Sequence, residues 1–118
     1  QTRIIDYKSG FVKPEDVRVS SIDQVFEKPK AAQLLFYGYL YNKDNPNSGA
    51  ISGISSMRNL KQNLIPFSLK EKKGEEKISE EELYSGFEEI LISTIQEIYN
   101  VSILFAHDSE AKYCMLCE

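Results

Sequence analysis

The first regular pattern in the chain lies at residues 4–10, where an apolar run ends in an acid, a base and a glycine. Successive side chains of an extended strand point to opposite faces, so Asp6 and Lys8 share one face while Ile5 and Tyr7 share the other. The glycine that follows allows the chain to turn away. The pattern predicts a strand whose end carries a carboxylate beside an ammonium group.

Two helical segments are predicted next, after a loop at residues 11–18. Ser21 and Gln24 form an N-terminal capping pattern for a short helical turn over residues 21–26. A longer helix is predicted over residues 30–42, after a proline of the kind that suits a first turn. Its apolar residues cover nearly the whole circumference, which predicts a helix buried on all sides. These residues are Ala31, Leu34, Leu35, Phe36, Tyr37, Tyr39 and Leu40.

The second half of the chain predicts two short strands and a long amphipathic helix. Residues 50–59 and 64–69 have strand patterns, and Pro66 makes the second an edge or a bulged strand because proline lacks a donor for the ladder. Residues 79–82 form a capping box that opens the helix. An apolar stripe at spacings of three and four predicts that this helix lies on a sheet. The stripe consists of Leu83, Phe87, Ile90, Leu91, Thr94 and Ile98. A last strand is expected over residues 102–106.

Strands that alternate with helices predict an α/β (α+β) fold with a mixed sheet flanked by helices. A length of 118 residues predicts a single domain over residues 1–118. The 42% hydrophobic and 27% charged content is typical of soluble globular proteins. Neither a run of about eighteen apolar residues nor a secretory leader is visible, so we expect a cytoplasmic protein without a membrane span. The formal charge of -4 argues against a free-standing nucleic-acid binder but is compatible with an acidic nuclease site.

Asp6 and Lys8 are the first candidates for chemistry. A carboxylate oxygen can bind a divalent cation, and a lysine can orient a water or stabilise charge that develops on a phosphoryl group. The same spacing of acid and lysine recurs at residues 71–73, 75–77 and 110–112, but only Asp6 and Lys8 both follow a β-branched apolar strand and precede a turn. The alternative interpretation of Asp6 and Lys8 is a surface ion pair that contributes little to stability.

Gln33 and Tyr37 are the second pair of candidates. They lie four residues apart and therefore on one face of the predicted helix over residues 30–42. An amide and a phenol on an otherwise apolar helix need hydrogen-bond partners, which the end of the Asp6 strand or a ligand there could supply. The alternative is that Gln33 caps a loop and Tyr37 packs in the core.

Together the two motifs resemble the PD-(D/E)XK nuclease superfamily, in particular the RecB/AddB-like nuclease domain at the end of bacterial helicase-nucleases. The matching segments are Ile-Ile-Asp-Tyr-Lys-Ser-Gly and, after a short loop, Ala-Gln-Leu-Leu-Phe-Tyr-Gly-Tyr-Leu. The resemblance implies a partial restriction-endonuclease-like core in which Asp6 is a metal ligand and Lys8 is the catalytic lysine. Gln33 and Tyr37 match the Gln-x-x-x-Tyr helix that supports the site in this family.

The resemblance implies a Mg²⁺- or Mn²⁺-dependent DNA exonuclease of the helicase-nuclease type, which acts in DNA recombination and repair. DNA and a helicase or another subunit are the implied partners. In the family, another metal-binding Asp lies upstream of the Asp-Tyr-Lys strand, and nothing precedes Gln1 here. We therefore expect the C-terminal part of a nuclease domain, truncated at both ends, that binds Mg²⁺ weakly and cleaves DNA poorly or not at all. Two alternatives stay open: a CRISPR-adaptation nuclease of the same superfamily, and a non-catalytic scaffold domain of a helicase-nuclease complex.

The last six residues, Tyr-Cys-Met-Leu-Cys-Glu, are similar to the start of the family's C-terminal cysteine cluster. The resemblance implies that Cys114 and Cys117 contribute to an iron–sulfur cluster in the full-length parent. Two thiolates separated by two residues can occupy two corners of a tetrahedral iron or zinc site. His107 is a poor candidate for a further ligand, and two unpaired cysteines are the alternative interpretation.

Overall fold

The computed structural model describes residues 1–70, 74 and 77–106. In these residues, two small sheets and two long helices form the fold. In chain order the elements are β1 (Arg3–Lys8), a first 3-10 helix (Pro14–Val17), β2 (Arg18–Val19), a second 3-10 helix (Ile22–Glu27), α1 (Pro29–Asp44), β3 (Ile51–Ser56), β4 (Ile65–Pro66), β5 (Ser68–Leu69) and α2 (Glu80–Tyr99). No helix of the described residues has the length and apolar character needed to cross a bilayer.

The main sheet has the strand order β1-β3-β4. β1 and β3 are parallel, with Asp6 opposite Ile54 and Lys8 opposite Ser56, whereas β4 runs antiparallel to β3. A parallel pair needs a long crossover connection, and α1 lies in that connection. The mixed sheet flanked by helices confirms the predicted fold class.

The strand predicted over residues 64–69 is divided between the two sheets. Its first part, β4, pairs with β3 at an edge of the main sheet, while its second part, β5, pairs with β2 in a separate two-stranded sheet. Pro66 lies in the edge strand, as predicted. The chain changes sheet at Phe67, whose backbone N–H donates to the Ser52 carbonyl over 2.9 Å.

Two hydrophobic clusters hold these layers together. The first lies between the main sheet and α1 and contains Val12, Val17, Leu34, Ile54 and Ile65. The second lies between α1 and α2 and contains Val19, Val25, Ala31, Leu35, Tyr84 and Phe87. Phe67 packs against both clusters, so the sheet-changing residue also joins the two halves of the core. The loop predicted at residues 11–18 is wrong in part, because it contains the first 3-10 helix and the buried Val12 and Val17.

α1 confirms the predicted helix and its proline start, but the prediction that it is buried on all sides is wrong. Phe36, Tyr37 and Leu40 are 37%, 36% and 48% exposed. The main sheet and α2 cover only part of the helix surface, and Leu34 and Leu35 lie on the covered part. Apolar periodicity alone cannot reveal how many neighbouring elements a helix has.

α2 begins with the predicted capping box. The Glu82 backbone N–H donates to Ser79 Oγ over 3.2 Å, and the Ser79 backbone N–H donates to Glu82 Oε2 over 2.9 Å. α2 contacts mainly α1 and the second 3-10 helix rather than the main sheet. Its hydrophobic cluster also includes Val19 of β2 and Leu69 of β5, so the sheet that it packs on is the small two-stranded one. The predicted stripe is covered except at its last position, because Phe87 is fully buried and the other members are half-buried, whereas Ile98 is 57% exposed.

The strand predicted over residues 102–106 is also wrong. The chain turns directly after α2, where the Ile103 backbone N–H donates to the Asn100 carbonyl over 3.1 Å. Leu104 and Phe105 follow without regular secondary structure and are 87% and 90% exposed. An apolar run becomes a strand only when a sheet edge pairs with it, and none of the described strands pairs with this segment.

Candidate functional site

The site begins at the end of β1, where the predicted alternation is confirmed. Ile5 and Tyr7 point outward and are 39% and 66% exposed. The Asp6 and Lys8 side chains point to the opposite face, where they are 14% and 30% exposed. β1 therefore turns Asp6 and Lys8 inward, on the same face as Ile4, and leaves Ile5 and Tyr7 on the outside. Burying charge instead of apolar surface is costly unless the charged groups are paired.

A chain of polar contacts joins β1 to α1. Lys8 Nζ lies 3.0 Å from Asp6 Oδ2 and donates to Gln33 Oε1 over 2.8 Å. Gln33 Nε2 in turn donates to the Tyr37 hydroxyl over 2.7 Å, because residues four apart on a helix lie on one face. The structure thus brings together all four site residues that the sequence predicted from two separate elements.

Asp6 Oδ2 stands out in this chain of contacts. It is buried, and although Lys8 Nζ lies within ion-pair distance, no donor of the described residues approaches it with hydrogen-bond geometry. A buried carboxylate oxygen without a hydrogen bond is costly for the folded state. A cation at Asp6 would satisfy this oxygen, which is the chemistry expected of a metal ligand.

The donor set at Asp6 fits a magnesium ion that has a single protein ligand. Within the described ranges, no group of three or more His, Cys, Asp or Glu side chains is placed to hold a metal ion. Mg²⁺ keeps several waters and is commonly bound through one or two carboxylates together with substrate phosphates. Asp6 could supply one such carboxylate, and water and a phosphate would complete the coordination shell.

The end of β3 supports the end of β1 through hydrogen bonds to the backbone near Lys8. The Met57 backbone N–H donates to the Lys8 carbonyl over 2.9 Å. Ser56, opposite Lys8 in the sheet, is buried and donates its hydroxyl to the Gly10 carbonyl over 2.8 Å. Ser56 was not predicted from the sequence, although Ser52 and Ser56 lie four residues apart on β3 and therefore share one face of the strand.

Asp16 does not take part in this site. Its carboxylate accepts a hydrogen bond from the Lys13 backbone N–H over 3.0 Å and lies 3.4 Å from Lys30 Nζ. The Lys13 hydrogen bond, supported by the Lys30 charge, holds the pKa of Asp16 below its usual value. Asp16 therefore caps the first 3-10 helix. Cys114, Cys117 and His107 lie outside the described residues.

Comparison with known proteins identifies a family. The family model of the PD-(D/E)XK nuclease superfamily matches residues 1–118. No significant match was found among curated proteins or among solved structures. The mixed sheet and flanking helices are those expected of the restriction-endonuclease-like fold of this superfamily.

Proposed function

The chain belongs to the PD-(D/E)XK nuclease superfamily, and from this premise we propose that it carries the catalytic groups of a metal-dependent nuclease that hydrolyses DNA phosphodiesters. The observation that supports the proposal most strongly is the position of Lys8 Nζ. It lies 3.0 Å from Asp6 Oδ2 and 2.8 Å from Gln33 Oε1, at an open end of the sheet. A surface ion pair would need no third partner.

Lys8 positions the attacking water in this proposal. An ammonium group has three N–H donors. One is used by Gln33, and another points toward Asp6 without a well-formed hydrogen bond. The remaining donor can bind the oxygen of a water and direct its lone pair at phosphorus, or stabilise charge on a phosphate oxygen. Water then adds to phosphorus and releases a proton to solvent, and the bond to the leaving sugar oxygen breaks as that oxygen takes up a proton from solvent.

Gln33 and Tyr37 are positioning residues. A glutamine amide can present either its oxygen or its nitrogen to a neighbour. The Lys8 ammonium can only donate, so the Gln33 oxygen must face it, and Gln33 Nε2 then donates to the Tyr37 hydroxyl. Tyr37 thus holds the Gln33 amide in the orientation that Lys8 requires.

Asp6 holds the metal ion in this proposal. When bound there, Mg²⁺ or Mn²⁺ would supply positive charge for the phosphate and lower the pKa of a bound water. Asp6 contributes the ligand oxygen, and its burial on the inner face of β1 fixes the position of that oxygen relative to Lys8.

The finer part of the proposal is an exonuclease of the helicase-nuclease type, acting in DNA recombination and repair beside a helicase subunit. It rests on the likeness of the Asp-Tyr-Lys strand and the Gln-x-x-x-Tyr helix to RecB/AddB-like domains. Cys114 and Cys117 contribute to an iron–sulfur cluster in this version. Iron content of the anaerobically purified full-length protein, compared with a Cys114→Ser/Cys117→Ser variant, tests that part.

Metal binding at Asp6 is tested by titrating the ¹⁵N-labelled chain with Mn²⁺ and following paramagnetic line broadening. We expect broadening centred on Tyr7, Lys8 and Gln33 that disappears in an Asp6→Asn variant. This readout does not require activity. Broadening confined to the acidic first turn of α2, at residues 80–82, would contradict the proposed site.

A non-catalytic scaffold domain is the second candidate. It is favoured by the ligand set, since no group of three or more His, Cys, Asp or Glu side chains among the described residues is placed to hold a metal ion. The two candidates differ in the behaviour of the full-length protein with linear and covalently closed circular DNA. Mg²⁺-dependent degradation of the linear form alone, lost in Asp6→Asn, supports the exonuclease. Absence of degradation of either form supports the scaffold.

A further inference from the structure

The loop between β3 and β4, residues 57–64, starts at the proposed site. The Met57 backbone N–H is hydrogen-bonded to the carbonyl of Lys8. The Arg58 backbone N–H approaches Ser56 Oγ over 3.3 Å, and the same hydroxyl donates to the turn that follows β1. The beginning of the loop is therefore connected by hydrogen bonds to the end of the strand that carries Asp6 and Lys8.

The part of the chain that contains this loop differs in charge from the rest of the chain. Residues 45–70 contain no Asp or Glu, although the whole chain has a formal charge of -4. α2, by contrast, carries six glutamates and no lysine or arginine. The cations within the loop are Arg58 and Lys61, and both are exposed. Within the part of the chain that the structure describes, neither side chain forms an ion pair or a hydrogen bond.

The loop is ordered by its own hydrogen bonds. The Asn59 backbone N–H donates to the Ser56 carbonyl over 3.2 Å, and the Gln62 backbone N–H donates to the Asn59 carbonyl over 3.1 Å. The Asn59 side chain also donates to Gln62 Oε1 over 3.1 Å. Arg58 and Lys61 therefore occupy the same position, the third, in two consecutive turns.

We propose that Arg58 and Lys61 bind backbone phosphates of the DNA strand that enters the Asp6–Lys8 site. The inference rests on the proposed function and adds the surface that holds the substrate. Two cations repeated in consecutive turns suit a polyanion whose charges are regularly spaced, and a loop that is already folded loses little conformational freedom on binding. Since these contacts are made to phosphates, they position the strand without reading its sequence.

The test measures binding of the protein to a fluorescent DNA duplex by anisotropy across a series of salt concentrations, with Ca²⁺ in place of Mg²⁺. Loss of two phosphate contacts in Arg58→Gln/Lys61→Gln lowers the slope of log K against log salt by about 1.8, because each contact contributes about 0.9. The control is Arg3→Gln/Lys43→Gln, which removes the same charge from the opposite end of β1 and from the α2 side of α1. We expect the control to keep the wild-type slope.

The outcomes separate the inference from the function on which it rests. If the wild type binds DNA with a steep salt dependence and the loop variant keeps that slope, the inference is wrong while the nuclease proposal stands. If the slope falls by the same amount in the loop variant and in the control variant, the effect is one of net charge and the inference is again wrong. If the wild type does not bind DNA at all, both proposals are wrong.

Discussion

Two lysine–carboxylate pairs lie on two sides of α1 and have different surroundings. Lys8 and Asp6 belong to β1 and meet Gln33 and Tyr37 on the side of α1 that faces the main sheet. Lys43 of α1 meets Glu88 on the side that faces α2. The two pairs have similar N–O separations, 3.0 Å and 2.9 Å, so distance alone does not tell a candidate site from a structural contact.

The difference lies in how completely each carboxylate is hydrogen-bonded. Lys43 Nζ donates to both Glu88 oxygens, and the Tyr39 hydroxyl donates to Oε1 over 2.9 Å. These contacts lower the pKa of Glu88 and, through the Glu88 hydrogen bond, raise the pKa of Lys43. Asp6 Oδ2 is more buried yet has no well-formed hydrogen bond among the described residues. A satisfied exposed pair joins two helices, whereas an unsatisfied buried oxygen leaves a position for a ligand.

Replacing each lysine by methionine should give the largest contrast between the two pairs. Lys8→Met removes the donor for the attacking water, and we expect the rate of DNA hydrolysis by the full-length protein to fall roughly 10²–10³-fold. Lys43→Met should leave the rate unchanged because the Lys43 ammonium pairs with Glu88 and lies over the Tyr39 ring, on the side of α1 that faces α2. Release of acid-soluble nucleotides from linear DNA measures both rates.

Circular dichroism of both lysine variants controls for folding, since methionine keeps most of the lysine stem. Equal rates for Lys8→Met and wild type in folded protein would remove Lys8 from the mechanism. A large loss in Lys43→Met would mean that the helix contact also contributes to the site.

The packing of α1 on α2 can be disturbed without touching either lysine. A Cβ added at Gly38 would overlap the Tyr84 hydroxyl and approach its Cζ to 3.2 Å, and Tyr84 is only 8% exposed. Overpacking costs about 1–3 kcal/mol and the better helix propensity of alanine returns up to about 1, so we expect Gly38→Ala to lower the free energy of unfolding by about 1–2 kcal/mol. Urea unfolding measures this change.

Tyr84→Phe supplies the matched control for Gly38→Ala, since it removes the overlapping hydroxyl. In the double variant the loss should be smaller than the sum of the two single losses. Additive losses would mean that Gly38 is small for a reason other than the Tyr84 hydroxyl.

The features that the sequence predicted correctly are those set within one element. Asp6 and Lys8 share a face because strands alternate, and Gln33 and Tyr37 share a face because helices repeat near every fourth residue. The capping box at Ser79 is equally local. Each of these needs only a spacing, so the residues alone were sufficient.

The features that the sequence did not predict depend on neighbours in space. Leu40 is exposed because part of the α1 surface is not covered by another element. Phe105 does not lie in a strand because none of the described strands pairs with its segment. Ser56 supports the site only because β3 pairs in parallel with β1. Such facts require the pairing of elements that are distant along the chain.

Metal binding should stabilise the folded protein only through the Asp6 carboxylate. With free Mn²⁺ at ten times its Kd, a single site adds about 1.4 kcal/mol to the free energy of unfolding, which raises Tm by a few degrees. Asp6→Asn should abolish this shift, and Glu88→Gln should keep it because that carboxylate is already fully hydrogen-bonded. Thermal unfolding with and without Mn²⁺ gives the shift, and its persistence in Asp6→Asn would place the ion elsewhere.

The smallest expected effect is the pH dependence of the stability that the Lys43–Glu88 pair contributes. The folded protein lowers the pKa of Glu88 below its usual value of 4.5, mainly because Lys43 and Tyr39 donate hydrogen bonds to the charged form. The unfolded chain therefore binds a proton at a higher pH than the folded protein does. It follows that the stabilisation by Glu88 is complete above pH 4.5. It is lost as the pH falls through the lower pKa that Glu88 has in the folded protein. Urea unfolding between about pH 6 and about pH 3 should show that the free energies of unfolding of wild type and Glu88→Gln converge as the pH falls.

Two further conditions sharpen this last test. Salt screens exposed charges, so the difference between wild type and Glu88→Gln should also shrink at high ionic strength. Glu89→Gln controls for the loss of one charge from α2, because the Glu89 side chain forms no hydrogen bond with the described residues. If the Glu88→Gln difference were independent of pH, the contact with Lys43 would contribute through packing of the side-chain stems rather than through charge. The contrast with Asp6 would then rest on burial alone.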